Sequence, residues 1–198
     1  MLRLLRDEFG TQPFRVADAV NRVGISRTTL HRLRRSGTLV GVVRGVLQLP
    51  EGGAGMQSDL AAVSARVPDG CICLNSALAF WDLTDEIPAE IHLAIPRGST
   101  RPSITDLTVR VHQFDRATFE LGRREATTDA DEPFWIYSPE RTVVDAMRLS
   151  RWVGRDVALQ ALRRYLSRRD AQPAAISELG RQLGATSRIM PAMEALLS

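Results

Sequence analysis

The stretch SRTTLHRLRRSG, residues 26–37, decides the fold of the N-terminal region. It places four arginines, a histidine and several hydroxyl side chains around only two leucines. Ser26 can cap a helix N-terminus with its hydroxyl, and no helix breaker follows before Gly37. The pattern therefore predicts a short basic helix over residues 27–35.

The residues before this stretch predict a second helix and a tight turn. In FRVADAVNRVG, residues 14–24, four apolar side chains recur at helical spacing: Val16, Ala19, Val20 and Val23. Gly24 can adopt the left-handed conformation that a tight turn requires. Two helices joined by about three residues form a helix-turn-helix. Five apolar side chains are expected to pack the pair together: Ala19, Val23, Ile25, Leu30 and Leu33.

Helix geometry separates the basic helix into a buried and an exposed side. Leu30 and Leu33 define the buried side. Four side chains fall near the opposite side and are expected to face a DNA major groove: Thr28, His31, Arg32 and Arg35. Arg27 and Arg34 lie on the flanks, where we expect them to reach phosphates without reading sequence.

Base recognition is expected from two of these residues, because arginine can bond bidentately to the edge of guanine. Arg32 and Arg35 are the candidates for this direct readout. The alternative is that the helix is a solvated basic face in a domain that binds protein, since runs of charge are often no more than that.

The residues after the basic helix predict a β-hairpin. TLVGVVRGVLQLP, residues 38–50, contains two short β-type runs, 39–43 and 46–49, around Arg44 and Gly45. A hairpin that directly follows a recognition helix is typical of a winged helix. Arg44 at its tip is expected to contact the DNA backbone or the minor groove.

Charge divides the chain of 198 residues into blocks. Residues 1–50 carry nine Arg against three acids (+6), residues 51–140 seven against fifteen (−8), and residues 141–198 ten against five (+5). A basic N-terminal block favours a polyanionic partner. EGGAG, residues 51–55, has the composition of a linker, so we expect a DNA-binding domain over 1–52 and a second domain over 53–198.

The second domain is expected to hold a small mixed sheet followed by C-terminal helices, which makes the chain an α+β protein. Asn75 or Ser76 is the expected cap of the second helix in this region, and Ser138 and Pro139 are the expected start of another. The predicted strands are 71–74, 91–96, 107–114 and 134–137, and the predicted helices are 56–67, the segment after 75, the segment after 138, 153–169, 173–183 and 187–197.

Three segments of this domain, together with the basic winged helix, resemble the AbiEi family of antitoxins in an actinobacterial style. They are NSALAFWDLTDEIPAEIHLAIPRGSTRP (75–102), YSPERTVVDAMR (137–148) and VGRDVALQALRRYL (153–166). The resemblance implies a winged helix that binds and represses the promoter of its own operon. It also implies a C-terminal domain that counteracts a cognate toxin of the AbiEii nucleotidyltransferase type.

Acidic side chains in the middle block offer a surface for such a toxin, whose nucleotide-binding cleft would be basic. The candidates are Asp82, Asp85, Glu86 and Glu90. Acidic loops are also common as plain solvated surface, and that alternative stays open. Arg141 and Asp145 are spaced i, i+4 on one helix, where a local or bridging ion pair is the simpler interpretation.

Catalysis finds little support in the residue types present. All 26 basic residues are arginine, which excludes mechanisms that need a lysine amine. His31, His92 and His112 are scattered, and Cys71 and Cys73 are too few for a metal cage by themselves. We expect no catalytic residue, no metal and no cofactor.

Two other functions remain open. An antitoxin can inactivate its toxin covalently, for example by serine phosphorylation in a kinase-like reaction, and PRGSTRPS (96–103) could hold phosphates through Arg97, Arg101 and the amide of Gly98. A one-component repressor without a toxin is the other alternative. No stretch is apolar enough for a signal peptide or a membrane span, so we expect a cytoplasmic protein.

Overall fold

The computed structural model describes residues 1–197, which form ten α-helices and two β-sheets. The predicted α+β class is confirmed. The chain divides into two compact units. Unit 1 contains Met1–Gly70, Arg101–Val109 and Glu125–Trp135, and unit 2 contains Cys71–Thr100, Arg110–Arg124 and the described residues from Ile136 onward.

Unit 1 begins with three helices and a three-stranded antiparallel sheet of order β1-β3-β2. Its elements are α1 (Leu2–Phe9), β1 (Phe14–Arg15), α2 (Val16–Val23), α3 (Arg27–Arg35), β2 (Val40–Val43), β3 (Val46–Gln48) and α4 (Met56–Arg66). The predicted helix pair, hairpin and following helix are confirmed. Helix α1 and strand β1 were not predicted, and β1 pairs with β3 through Phe14↔Leu47 and Arg15↔Val46.

Local sequence signals set the turn between α2 and α3. Gly24 ends α2 in the left-handed region with φ 75°. The Ser26 hydroxyl accepts a hydrogen bond from the backbone N–H of Thr29 at 3.2 Å, which caps α3. The five predicted packing side chains all join one apolar cluster, where Ala19, Ile25 and Leu30 are buried and Val23 and Leu33 partly buried.

Unit 1 does not end at residue 52, and EGGAG is not a free linker. A Cβ atom on Gly52 would come within 2.0 Å of the Gln48 amide, and one on Gly53 within 2.3 Å of Ser58 Oγ. The buried carboxylate of Glu132 accepts hydrogen bonds from the Gln48 side chain and from the Gly53 N–H. A Cβ atom on Gly53 would also lie 2.9 Å from Ala130 Cβ and 3.0 Å from Glu132 Oε2, so this glycine permits close packing against a segment far along the chain, a contact that composition cannot reveal.

A mixed five-stranded sheet of order β6-β5-β4-β8-β7 follows. Its strands are β4 (Cys71–Ile72), β5 (Ile91–Pro96), β6 (Val109–Phe114), β7 (Arg123–Thr127) and β8 (Pro133–Tyr137). Strand β4 runs antiparallel to β5 and parallel to β8. The predicted mixed sheet is confirmed, whereas β7 was not predicted; its exposed, charged sequence carries no apolar run.

The helices of unit 2 are α5 (Leu74–Phe80), α6 (Pro139–Arg148), α7 (Ser150–Val153), α8 (Arg155–Leu166), α9 (Pro173–Gln182) and α10 (Thr186–Leu197). The Ser138 cap of α6 is confirmed by a hydrogen bond from the Arg141 N–H. The predicted cap of α5 is wrong: the helix starts at Leu74 after Cys73, and the Ser76 hydroxyl instead accepts from the His92 N–H at 2.9 Å. Strand β4 ends at Ile72, short of the predicted residue 74.

An ion-pair network on α6 lies in the core of unit 2. Arg141 and Asp145 are 0% and 1% exposed, and the guanidinium Nε donates to Asp145 Oδ2 at 3.0 Å. Arg148 donates to the other carboxylate oxygen at 2.6 Å. The local ion pair predicted from the i, i+4 spacing is confirmed.

Replacing Asp145 tests how much this network contributes to the stability of the protein. Asp145→Asn leaves the Arg141 charge buried without a counter-charge, and we expect the free energy of unfolding to fall by about 3–5 kcal/mol. Urea denaturation measures the change. The control is Glu178→Gln, which removes one partner of the exposed Arg181–Glu178 pair and should leave the midpoint unchanged. Equal midpoints for the two variants would contradict the prediction.

Candidate nucleic-acid interface

Helix α3 presents the predicted residues to solvent. Leu30 and Leu33 face the core of unit 1. The seven residues expected to contact DNA are all exposed, and we call them the α3–hairpin surface: Arg27, Thr28, His31, Arg32, Arg34, Arg35 and Arg44.

The arginines of this surface differ from several others in unit 1 in their electrostatic partners. Arg6, Arg15 and Arg22 form ion pairs with carboxylates: Glu51, Asp18 and Glu8, respectively. Within residues 1–197, none of the five arginines of the α3–hairpin surface forms an ion pair. Helix α3 itself contains no acidic residue. The surface is thus a concentration of uncompensated positive charge.

Arg27 is notable because it occupies the first turn of α3. The helix dipole makes a positive charge at the N-terminal end unfavourable, whereas it stabilises the three arginines in the last turn. Helix stability therefore accounts for the arginines at the C-terminal end but not for Arg27. An anion bound at the N-terminus would remove the conflict.

The hairpin positions one of the flanking arginines. A Cβ atom on Gly41 would lie 2.7 Å from Nε and 3.0 Å from Cζ of Arg34, so this guanidinium rests directly over the backbone of β2. The close approach needs a residue without a side chain. Sequence reasoning missed this role of Gly41, because only the packing of α3 beside β2 reveals it.

The tip of the hairpin is held by a residue far along the chain. The backbone N–H of Arg44 donates to Asp106 Oδ2 at 2.8 Å. Ile104 and Leu107 pack in the apolar cluster that also contains Val43 and Val46. Asp106 therefore fixes the tip while the Arg44 side chain stays exposed. No local signal in the sequence points to Asp106.

The four acidic residues proposed to bind a toxin differ in whether they already form ion pairs in unit 2. Asp85 pairs with Arg164, and Glu90 pairs with Arg110. Asp82 and Glu86 are exposed, and no ion pair engages them in the described part of the chain. Ile87, an apolar side chain that is 84% exposed, follows Glu86 directly and was missed by the sequence analysis.

The histidines and cysteines occupy structural positions, apart from the exposed His31. His92 and His112 are buried and their ring nitrogens lie 3.1 Å apart. Burial lowers the pKa of His92, although Glu90 acts in the opposite direction. Burial also raises the pKa of the Cys71 and Cys73 thiols. Among residues 1–197, no group of three His, Cys, Asp or Glu side chains is placed to hold a metal.

In the loop considered for phosphate binding, residues 96–103, part of the positive charge is neutralised by an acidic side chain. Arg97 lies 3.8 Å from Asp115, and its carbonyl accepts a hydrogen bond from Arg116. Gly98 adopts a positive φ of 84°. Arg101 is exposed. Within residues 1–197, Arg97 of this loop forms an ion pair and Arg101 does not.

Comparison with known protein families finds a match to the N-terminal region. Residues 3–50 match the family model described as a transcriptional regulator, AbiEi antitoxin. This match supports an antitoxin or regulator role, and it covers the same residues that form α1, the helix pair and the hairpin. Among curated proteins, none matches the sequence.

One solved structure resembles the fold of nearly the whole chain. It is the crystal structure of RV2827C protein from Mycobacterium tuberculosis, with a TM-score of 0.53 and 18% sequence identity. The match covers 99% of this chain and 78% of that one. At this identity the likeness concerns the fold alone. Within residues 1–197, no helix is long and apolar enough to cross a membrane.

The contact between Gly41 and Arg34 gives a double-mutant test of this surface. Gly41→Ala should displace the Arg34 side chain without a large loss of stability, because the clashing atoms belong to the end of a flexible side chain. We expect weaker binding to a random-sequence DNA duplex. The plot of log K against log salt should also become less steep, its negative slope shrinking in magnitude by about 0.9, the value for one phosphate contact. Fluorescence anisotropy at several salt concentrations measures both.

The Arg34→Ala variant is the matched reference. Because both substitutions remove the same contact, the double variant should bind no more weakly than Arg34→Ala alone. Additive losses would show that Gly41→Ala acts through something other than Arg34.

Proposed function

We propose that residues 1–52 contain a winged helix-turn-helix that binds the operator of the chain's own promoter and represses transcription. The single observation that carries this proposal is the set of exposed, unpaired arginines on α3 and the hairpin tip. The order of elements, with a hairpin directly after a basic helix, supports it. So does the family match over residues 3–50.

The proposed contacts divide by chemistry. Arg32 and Arg35, on the side of α3 away from Leu30, read guanine edges in the major groove, with Thr28 and His31 beside them. Arg27 and Arg34 bind phosphates. Arg44 contacts the backbone or the minor groove from the hairpin tip, whose position Asp106 fixes. Phosphate contacts position the protein, and base contacts give specificity.

We also propose that the remainder of the chain, from residue 53, neutralises a cognate nucleotidyltransferase toxin. The resemblance of segments 75–102, 137–148 and 153–166 to AbiEi antitoxins supports this role. Asp82 and Glu86 are exposed and form no ion pair within residues 1–197, and Glu86 directly precedes the exposed apolar Ile87, so these two are the side chains best placed for a basic partner. Asp85 and Glu90 are already paired with arginines and contribute less.

Alanine variants separate base readout from backbone contact. Arg32→Ala and Arg35→Ala should each cost about 1–3 kcal/mol on DNA from the chain's own promoter and should reduce the preference for that DNA over a random duplex. Arg44→Ala should weaken binding to both duplexes alike. Equal losses on the two duplexes for all three variants would refute the assignment of Arg32 and Arg35 to bases.

The proposed antitoxin role is tested by growth of cells that express the adjacent reading frame with and without the full chain. We expect the neighbour alone to arrest growth and the full chain to restore it. Restoration should persist in the Arg32→Ala, Arg35→Ala double variant, because DNA binding and neutralisation use different residues. It should weaken when Asp82 and Glu86 are both replaced by arginine.

The control is Asp170→Arg, which reverses the charge of another exposed acid that forms no ion pair within residues 1–197. It should leave restoration intact. A harmless neighbour would refute the antitoxin role and favour a one-component repressor. Loss of restoration in the control would show that the Asp82 and Glu86 result reflects net charge rather than a specific surface.

A further inference from the structure

Unit 2 contains a cavity of about 560 Å³ bounded by α6, α7, α8 and α10. Its volume lies in the range of small-molecule sites, roughly 300–1,000 Å³. Nine residues line it: Met147, Ser150, Arg155, Ala158, Leu159, Ser187, Arg188, Pro191 and Ala192. Nothing in the proposed DNA or toxin contacts uses these residues.

Part of the wall is apolar and formed by three helices. Met147 comes from α6, Ala158 and Leu159 from α8, and Pro191 and Ala192 from α10. The side chains of Met147 and Ala158 are buried, so this wall is continuous with the core of unit 2. Such a wall favours a ligand with an apolar or planar body, because burying that body removes apolar surface from water.

The rest of the lining is basic or hydroxylic. Arg155 and Arg188 contribute two positive charges, Ser150 and Ser187 contribute hydroxyl groups, and none of the nine lining residues is acidic. Within residues 1–197, neither arginine forms an ion pair and neither hydroxyl forms a side-chain hydrogen bond. A small set of polar groups converging on an apolar cavity is the usual form of a ligand site.

One of the two arginines is already oriented. Arg188 donates from Nη1 to the backbone carbonyl of Arg148, at the end of α6. This bond holds the guanidinium beside the cavity and leaves its other N–H groups available. A guanidinium fixed in this way loses less conformational entropy when it binds an oxyanion.

From these observations we infer that the cavity binds a small organic phosphate, a phosphate monoester on an apolar or planar body of about nucleotide size. A phosphate monoester carries about −1.5 to −2 charges at neutral pH, which two arginines balance. Arginine pairs with phosphate through parallel, charge-assisted hydrogen bonds, and the serine hydroxyls supply further donors. The apolar wall receives the organic part.

Calorimetric titration of the full chain tests this site with AMP as the probe. Adenosine, which lacks the phosphate, and inorganic phosphate, which lacks the organic body, are the comparison ligands. We expect saturable binding of AMP at millimolar concentration or below, and at least about tenfold weaker binding of each comparison ligand. Because the titration contains no DNA and no toxin, its outcome is independent of the proposed repressor and antitoxin roles.

Variants of the lining residues locate the binding. Arg155→Gln and Arg188→Gln should each weaken AMP binding about tenfold by removing a charge-assisted hydrogen bond. Ala192→Phe should block the cavity without changing its charge. Arg163→Gln, on an exposed position of α8 outside the lining, is the matched control and should bind as the unmodified chain does.

Three results would overturn the inference. They are the absence of saturable AMP binding at millimolar concentration, equal binding of AMP and adenosine, and unchanged affinity in the Arg155→Gln, Arg188→Gln double variant. Thermal denaturation of each variant verifies that it is folded before titration, and Ala192→Phe gives a second route to the same conclusion if the double variant is unstable.

Discussion

The buried guanidinium of Arg141 is the constraint on which the rest of unit 2 depends. Arginine stays charged at every physiological pH, so its burial must be compensated by partners. Asp145 supplies the counter-charge, and the carbonyls of Thr118 and Leu121 accept from Nη1 at 2.9 and 2.7 Å. The ring of Tyr137 lies 4.4 Å from the guanidinium carbon. One side chain therefore ties α6 to the turn before β7 and to the end of β8.

The same constraint explains a glycine in that turn. Gly122 has φ 70°, and a Cβ atom there would come within 2.7 Å of Arg141 Cβ. Its N-terminal neighbour Leu121 presents its carbonyl to the guanidinium, which is possible only if the backbone approaches α6 closely. The arginine in the core of unit 2 and those of the α3–hairpin surface therefore have different physical roles. The buried Arg141 donates to acceptors from several elements, whereas the arginines of the α3–hairpin surface form no ion pair within residues 1–197 and leave their charge available to an external anion.

Sequence reasoning succeeded where the signals are local. The cap at Ser26, the left-handed Gly24 and the spacing of Ala19 and Leu30 fix α2 and α3, and the Ser138 cap fixes the start of α6. It failed where long-range packing decides. Strand β1 has only two residues and exists because β3 lies beside it, and the cap of α5 was misplaced because the Ser76 hydroxyl serves strand β5 instead. The exposure of the α3 face could be predicted, but the roles of Gly41 and Asp106 could not.

These long-range contacts bear on how the N-terminal region can function. A segment of about 50 residues is marginal as an independent fold, since it buries too little of its surface. In unit 1, residues beyond position 52 supply the additional packing and hydrogen bonds. Ala62 of α4 packs against the hairpin, Asp106 accepts a hydrogen bond from its tip, and the buried Glu132 accepts hydrogen bonds from Gln48 and Gly53. The position of Arg44, and of the strand on which Arg34 rests, is therefore set partly by residues 60 to 90 positions away in sequence. Truncation of the chain at residue 52 would remove these contacts. The geometry of the proposed DNA-binding surface therefore depends on the whole of unit 1, and not only on the segment that carries its arginines.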